Sequence, residues 1–341
     1  MKAWARLALL AALLSAAAWA AAPDEGPAKA PAPGPMPPAP AAPKKGLSRW
    51  FNPATAPFIP VPEIAVDPDS GTTLGLIPTW VHADENHQIN RIIAPDVIYN
   101  PYFGYGVHGR VYGYTSTDEQ WSVVAGIKQR VEREFDAEYQ RGRLRDRRWS
   151  YAVSLIYDRN GTPRFYGIGN QSPSYAETNY TDQQQRAQIQ VGLNLTHAWQ
   201  ILYTGRFQVV DVLPGTLQKI ASIETRFGRA LGVGTNKELL NRLSLVYDTR
   251  DDLTVPSRGM QLIAYAGLAS RNGLVNDSLY SETGGDGRAF WPVATNTILV
   301  AHMAIRYMPT SHAVPFWALS SIGGGDSVVG LDSVNDYYDV R

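Results

Sequence analysis

The run Ala187-Gln188-Ile189-Gln190-Val191-Gly192-Leu193-Asn194-Leu195-Thr196 alternates without a break, aliphatic at every odd position and polar or small at every even one. A period of two belongs to a β-strand, whose successive side chains point to opposite faces. One face here is aliphatic, and the other suits only water or a polar interior. The segment that follows repeats it: Ile201, Tyr203, Phe207 and Val209 stand against Thr204, Arg206 and Gln208.

Working outward, the pattern recurs. Trp121, Val123, Ala125 and Ile127 alternate with Ser122, Lys128 and Arg130, and Leu243, Leu245 and Tyr247 with Arg242, Ser244 and Asp248. Leu299, Ala301, Met303, Ile305 and Tyr307 alternate less cleanly with Val300, His302 and Arg306. Eleven strands are expected, at 72–82, 88–99, 104–116, 120–131, 149–158, 183–197, 199–212, 240–249, 258–269, 278–291 and 296–308. Most exceed the ~5–6 residues usual in soluble sheets and match a tilted strand crossing a bilayer. No segment has convincing helical periodicity.

The connections are uneven. Links at 100–103, 198 and 292–296 are short, whereas 159–182 and 213–239 are long. Short turns on one side and long loops on the other mark an outer-membrane β-barrel. With the first strand running outward, the long loops face the exterior and the Asp248–Gly259 turn faces the periplasm. The link 132–148 breaks the rule, being long where a short turn belongs. Trp80, Tyr99, Tyr114, Trp121, Trp149, Trp199 and Trp291 suit the membrane interfaces. A large soluble β-sandwich would share the alternation but not the strand length, the loop asymmetry or the aromatics.

The N-terminus agrees with export. Lys2 and Arg6 precede an apolar stretch, Leu7 to Ala20, and Ala18-Trp19-Ala20 offers a small-x-small cleavage pattern, so residues 1–20 read as a signal peptide. Residues 21–50 are mostly alanine, proline and glycine, the composition of a disordered linker. The barrel domain is expected over 51–341. Lys plus Arg and Asp plus Glu both count 31, so no net charge draws the 341-residue chain to nucleic acid. There is no cysteine, which excludes disulfides, thiolate metal sites and a cysteine nucleophile. Mean hydropathy is only -0.22, and beyond the signal peptide no apolar run is long enough for a membrane helix.

Several motifs look chemical. Gly104-Tyr105-Gly106-Val107-His108-Gly109 fits a dinucleotide fingerprint by letter, but β-like sequence flanks it where a helix must follow. Gly325-Asp326-Ser327 lacks the strand-to-helix elbow of a serine hydrolase. The histidines (82, 87, 108, 197, 302 and 312) form no i,i+4 pair, so no metal site and no cofactor are expected. Asp248-Thr249-Arg250-Asp251-Asp252, followed by Pro256-Ser257-Arg258-Gly259, reads as a turn held by Asp–Arg hydrogen bonds.

Three stretches together resemble the BamA/TamA-like outer-membrane assembly-factor family, and the likeness runs from about 60 to 341. They are Arg164-Phe165-Tyr166-Gly167-Ile168-Gly169-Asn170, similar to an aromatic-GIGN segment, and Asp248, Thr249, Arg250, Asp251, Arg258 and Gly259, similar to a DTRD…P-x-RG turn. The third begins at Pro315-Phe316-Trp317 and continues through Gly323, Gly324, Gly325, Asp326, Ser327, Val329, Gly330 and Leu331. It resembles the start of a loop that folds back into the lumen. Where the family carries Arg-Gly-aromatic, this chain has Val329, Gly330 and Leu331, so the arginine that would dock on the inner wall is absent.

The resemblance implies a POTRA-less, non-enzymatic barrel that assists insertion or translocation of proteins at the outer membrane. Its partners would be membrane lipids and unfolded outer-membrane or secreted proteins, and it would act as a monomer. In the family the first strand meets the last at a seam, and Pro78, in the expected first strand, would weaken that seam. The family barrel has sixteen strands, so eleven leave it C-terminally incomplete. The rival reading is a passive pore or structural barrel. Arg110, Lys128, Arg206, Arg242 and Arg306 lie on polar faces, and a lumen lined with them would favour anions.

Overall fold

The computed structural model describes residues 58–67, 71–84, 89–169, 171–217, 219–253, 255–270, 280–309, 314–321 and 338–339. The signal peptide, the linker over 21–50 and the glycine-rich loop from Gly324 to Leu331 fall outside them. The strands are β1 (Ile59–Asp67), β2 (Gly71–Ala83), β3 (Ile89–Ile93), β4 (Asp96–Asn100), β5 (Gly104–Ser116), β6 (Glu119–Lys128), β7 (Arg133–Arg141) and β8 (Trp149–Asn160). They continue with β9 (Arg164–Phe165), β10 (Thr178–Asn194), β11 (Trp199–Pro214), β12 (Gly234–Asp248), β13 (Gly259–Ala269), β14 (Tyr280–Ala294) and β15 (Thr297–Tyr307). Two short strands, β16 (Ser320–Ser321) and β17 (Tyr338–Asp339), pair with each other.

From β1 to β15 the main strands form one antiparallel sheet in chain order. β4 lies alongside β2 and β5, and β9 adds to β10. This corrects the expected set in three places. β1 precedes 72–82, so Pro78 is not in the first strand. The stretch 88–99 is two strands, parted at Ala94-Pro95. The link 132–148 contains β7, and its anomalous length disappears.

The two prolines of β1 explain why it sits at an edge. Pro60 lies opposite Pro78, and neither residue has an N–H to give. Such a pair fits only a position where both residues point their backbone groups away from each other. Pro60, and Pro62 two residues on, then aim at the open edge, while Pro78 aims at its other neighbour. That neighbour is interrupted there: β3 pairs with Trp80–Ala83 and β4 with Leu74–Leu76. The missing donor of Pro78 meets the gap between β3 and β4.

The sheet curls strongly. The Tyr102 hydroxyl, in the β4–β5 link, lies 3.1 Å from Thr216 Oγ1, in the β11–β12 link. Five strand spacings separate β5 from β11, ~24 Å along a flat sheet, and no tyrosine reaches that far. At the opposite rim Arg145, between β7 and β8, reaches Asp248 at the end of β12.

The wall is inverted relative to a soluble protein. Ile189, Leu195, Tyr203, Leu243 (57% exposed) and Leu245 point outward into the open, while Gln200, Thr204, Gln208, Ser244, Glu238 (0%) and Glu282 (1%) are buried on the inner face. Aromatics sort by rim. Trp80, Trp121, Trp149, Trp199 and Trp291 all lie toward the short-turn rim, and Tyr99, Tyr105, Phe135 and Tyr307 toward the other. Trp291 stands opposite Leu299, eight residues from Tyr307 on the same strand. Trp121 stands opposite Gly113, eight residues from Tyr105.

At the long-loop rim the inner face becomes largely apolar. There Phe165, Tyr180, Val210, Val212, Ile223 and Phe316 belong to one buried cluster. Phe165 and Phe316 have ring centroids 4.5 Å apart, and Phe316 N–H donates to the Leu231 carbonyl at 3.0 Å. Asn179, fully buried, ties the loops together. Its amide donates to the Gly161 and Pro163 carbonyls at 2.9 Å, and its oxygen accepts from the N–H groups of Thr216 and Leu217 at 2.8 and 3.0 Å.

Candidate functional site

The inner face of β11–β15 carries a ladder of paired charges. Arg206 on β11 donates to Glu238 on β12 at 2.8 Å, and Tyr280 on β14 gives its hydroxyl proton to the other oxygen of Glu238 at 2.6 Å. One layer along, Arg242 on β12 and Arg306 on β15 converge on Glu282 of β14, at 2.5 and 2.6 Å. Both glutamates are buried. A carboxylate so enclosed would be costly if alone, and two guanidiniums on one glutamate satisfy its lone pairs from both sides. The Arg306 guanidinium also donates to the Ala318 carbonyl at 2.9 Å. That bond ties the inward-folded segment 314–319 to the ladder.

Of the other cations expected in the lumen, Arg110 and Lys128 are paired too. Arg110 bonds Asp96, which His108 also contacts at 2.7 Å, and Lys128 bonds Glu132. All five expected lumen-lining cations therefore lie on the polar face, each matched by a carboxylate. These five cations meet four carboxylates, Arg242 and Arg306 sharing Glu282. The signal missed in the sequence is the acidic partner set, Glu238 and Glu282 above all, which strand register brings in from 24 to 40 positions away.

At the short-turn rim, Arg250 grips Asp248 through Nε at 3.0 Å and Nη2 at 2.9 Å, and Gln261 donates to the same carboxylate at 3.1 Å. Asp251 organises the other half of the turn. It accepts from the Ser257 and Arg258 N–H groups at 2.8 and 3.1 Å, and from the Ser257 hydroxyl. These donors, the hydroxyl foremost, hold the Asp251 carboxyl well below the usual carboxylate range. Gly259 closes the turn at φ +95°, where a Cβ would stand 2.3 Å from the Thr249 carbonyl oxygen. Thr249 and Met260 close the ladder beneath it, with N–H to carbonyl at 2.8 Å.

The aromatic-GIGN stretch caps the opposite rim. Arg164 bonds Glu177 at 2.5 Å, Tyr166 donates to the same carboxylate at 3.0 Å, and Phe165 is fully buried. Among the described residues no group of three or more histidine, aspartate or glutamate side chains could hold a metal ion.

With this geometry in place, comparison with known proteins gives the family. Residues 117–334 match the model of the Omp85 superfamily domain, and the chain belongs to that superfamily. The solved structures it resembles include BamA from Haemophilus ducreyi lacking POTRA domains 1–3, with a TM-score of 0.46 and 11% identity, covering 81% of this chain and 51% of that one. The chain thus spans about half the length of that BamA chain. No curated protein matches it.

Proposed function

We propose that the chain is an outer-membrane β-barrel protein that assists the insertion or translocation of other proteins, with no enzymatic chemistry of its own. The observation that carries this reading is the inverted wall: apolar side chains outward, paired charges inward, on a sheet of the Omp85 superfamily. A hydrocarbon surround favours that arrangement, because the outer faces are mainly apolar along the middle of the strands.

The aromatic spacing supports a mechanism. Eight residues between the belts correspond to ~26 Å along a strand and, at a tilt of ~40°, to an apolar band of ~20 Å. A typical hydrocarbon core is ~30 Å thick, so the lipid around this wall would have to thin, and thinned lipid is easier for an incoming strand to enter. The interrupted neighbour of Pro78 adds a locally weak pairing close to β1. The clients would be unfolded outer-membrane or secreted proteins, and the surround would be outer-membrane lipid.

The alternative, a passive pore, predicts steady conductance and no effect on folding. The full chain, folded into liposomes, should accelerate insertion of an unfolded client barrel diluted from urea over empty liposomes. Steady conductance with no acceleration would favour the pore.

A further inference from the structure

Beyond the aromatic belt at the long-loop rim, two cations stand on the outside of the wall. Arg133 on β7 and Arg159 on β8 lie directly opposite each other. Arg133 comes two residues before Phe135 and Arg159 two after Tyr157, so both share the outward parity of Phe135, Val153 and Leu155. Two residues are ~7 Å along a strand. That step carries the pair past the hydrocarbon and into the headgroup layer, ~5–7 Å deep on each side of a bilayer. The inference rests on the reading above that this wall stands in lipid.

Neither cation meets a carboxylate. Arg133 donates through Nη1 to the backbone carbonyls of Lys128 and Glu132, at 2.8 and 2.7 Å, and both acceptors are uncharged. Among the described residues Arg159 has no hydrogen-bond or ion-pair partner, and its Nε is buried. On its other side stands Gln183, which donates to Asp211 at 3.0 Å and accepts from the Tyr157 hydroxyl at 3.4 Å. Asp211, the carboxylate of this row, is two strands from Arg159, ~10 Å away. Glu134 and Asp158, next along each strand, belong to the inner face. Guanidinium keeps its charge in proteins. Like charges directly opposite each other weaken a strand pair, and a buried polar nitrogen without an acceptor is unfavourable. An anion held between the two forks removes both penalties.

We propose that Arg133 and Arg159 form a lipid site on the outside of the wall, taking the phosphate of an anionic phospholipid. Planar guanidinium forks match phosphate oxygens in pairs, and a headgroup phosphate is the anion that a lipid surround supplies at this depth. The acyl chains then lie along the apolar outer faces of β7 and β8, over Ala137, Val153 and Leu155. A free phosphate ion has no such second contact, and the site is therefore one for lipid.

The test folds the full chain into phosphatidylcholine liposomes and follows the urea midpoint as phosphatidic acid or phosphatidylglycerol is added. Phosphatidylcholine carries its own cation beside the phosphate and serves as the reference. The parent's midpoint should rise and level off, as it does when a ligand binds the folded state alone. In Arg159→Gln the lipid fraction needed for half that rise should grow at least about tenfold. Arg133→Gln should act in the same direction, and Arg159→Lys should recover part of the loss. Arg229→Gln removes an exposed loop cation on the same rim and should leave the rise unchanged. In phosphatidylcholine alone Arg159→Gln should be at least as stable as the parent, because the like-charged neighbour is gone, and retained heat-modifiable mobility shows that it folds. No rise with either anionic lipid, a rise indifferent to Arg133 and Arg159, or one that inorganic phosphate reproduces in phosphatidylcholine overturns the lipid site alone. A chain that enters no liposome overturns the lipid-facing wall along with it.

Discussion

Glu282 receives Arg242 and Arg306 from opposite sides, and its removal exposes what each contributes. Glu282→Ala leaves two guanidiniums facing each other in a buried site, and a broken buried pair costs ~3–5 kcal/mol. Urea unfolding from liposomes should record a loss of that order, and Glu282→Gln a smaller one because its amide oxygen still accepts. Asp251 offers a pH signature at the same scale. Its carboxyl is held below the ordinary range by the Ser257 hydroxyl and by N–H groups of the turn. The stability it confers is therefore complete above the unfolded value of ~4 and is lost as pH falls through the lower folded value. Asp251→Asn should lower stability at neutral pH and flatten the acid limb of a stability-versus-pH curve, the difference from the parent shrinking as pH falls. Contacts within the Asp248–Gly259 turn were readable in the sequence because they are local. The partners of Arg206, Arg242 and Arg306 were not, because register alone decides which carboxylate a strand 24 to 40 residues away presents.

At the scale of the element, β7 shows where alternation fails as a guide. Phe135, Ala137 and Tyr139 face outward opposite Ala125, Val123 and Trp121, but the inward set is Glu134, Asp136 and Glu138. With arginine at both ends, the run has the composition of a solvated loop, and only its pairing reveals a strand. β1 was hidden differently, by prolines that an edge tolerates and a central strand does not. Of the strands with aliphatic outer faces, β11 was legible nearly to its ends, while β10 and β12 start five and six residues before the expected 183 and 240, because their first residues lack the apolar outer face that lipid demands. Pro78 provides the test at this scale. Its missing donor faces the gap between β3 and β4, so Pro78→Ala should change stability by no more than ~0.5 kcal/mol. A gain well beyond that would mean a ladder bond was waiting there.

Across the whole molecule, inserting β1 and β7 moves the 101–103 link to the rim of 161–177 and 215–233, while the Asp248–Gly259 turn stays opposite them. If the long loops face outward, cysteine at Ser174 should react with an impermeant maleimide on intact cells, and cysteine at Val255 only after the membrane is opened. The reverse pattern would turn the wall upside down. The central claim is that this sheet of the Omp85 superfamily stands in lipid with its apolar face outward. Leu243 tests it most directly, since it lies mid-strand on β12, 57% exposed, beside the inward Ser244. In water, an exposed leucine can become arginine at almost no cost; at the bilayer midplane the change costs ~2–4 kcal/mol. Urea unfolding of the full chain from phosphatidylcholine liposomes should show that loss for Leu243→Arg, whereas Ser244→Ala should shift it by less than ~1 kcal/mol. A Leu243→Arg protein as stable as the parent would contradict the account.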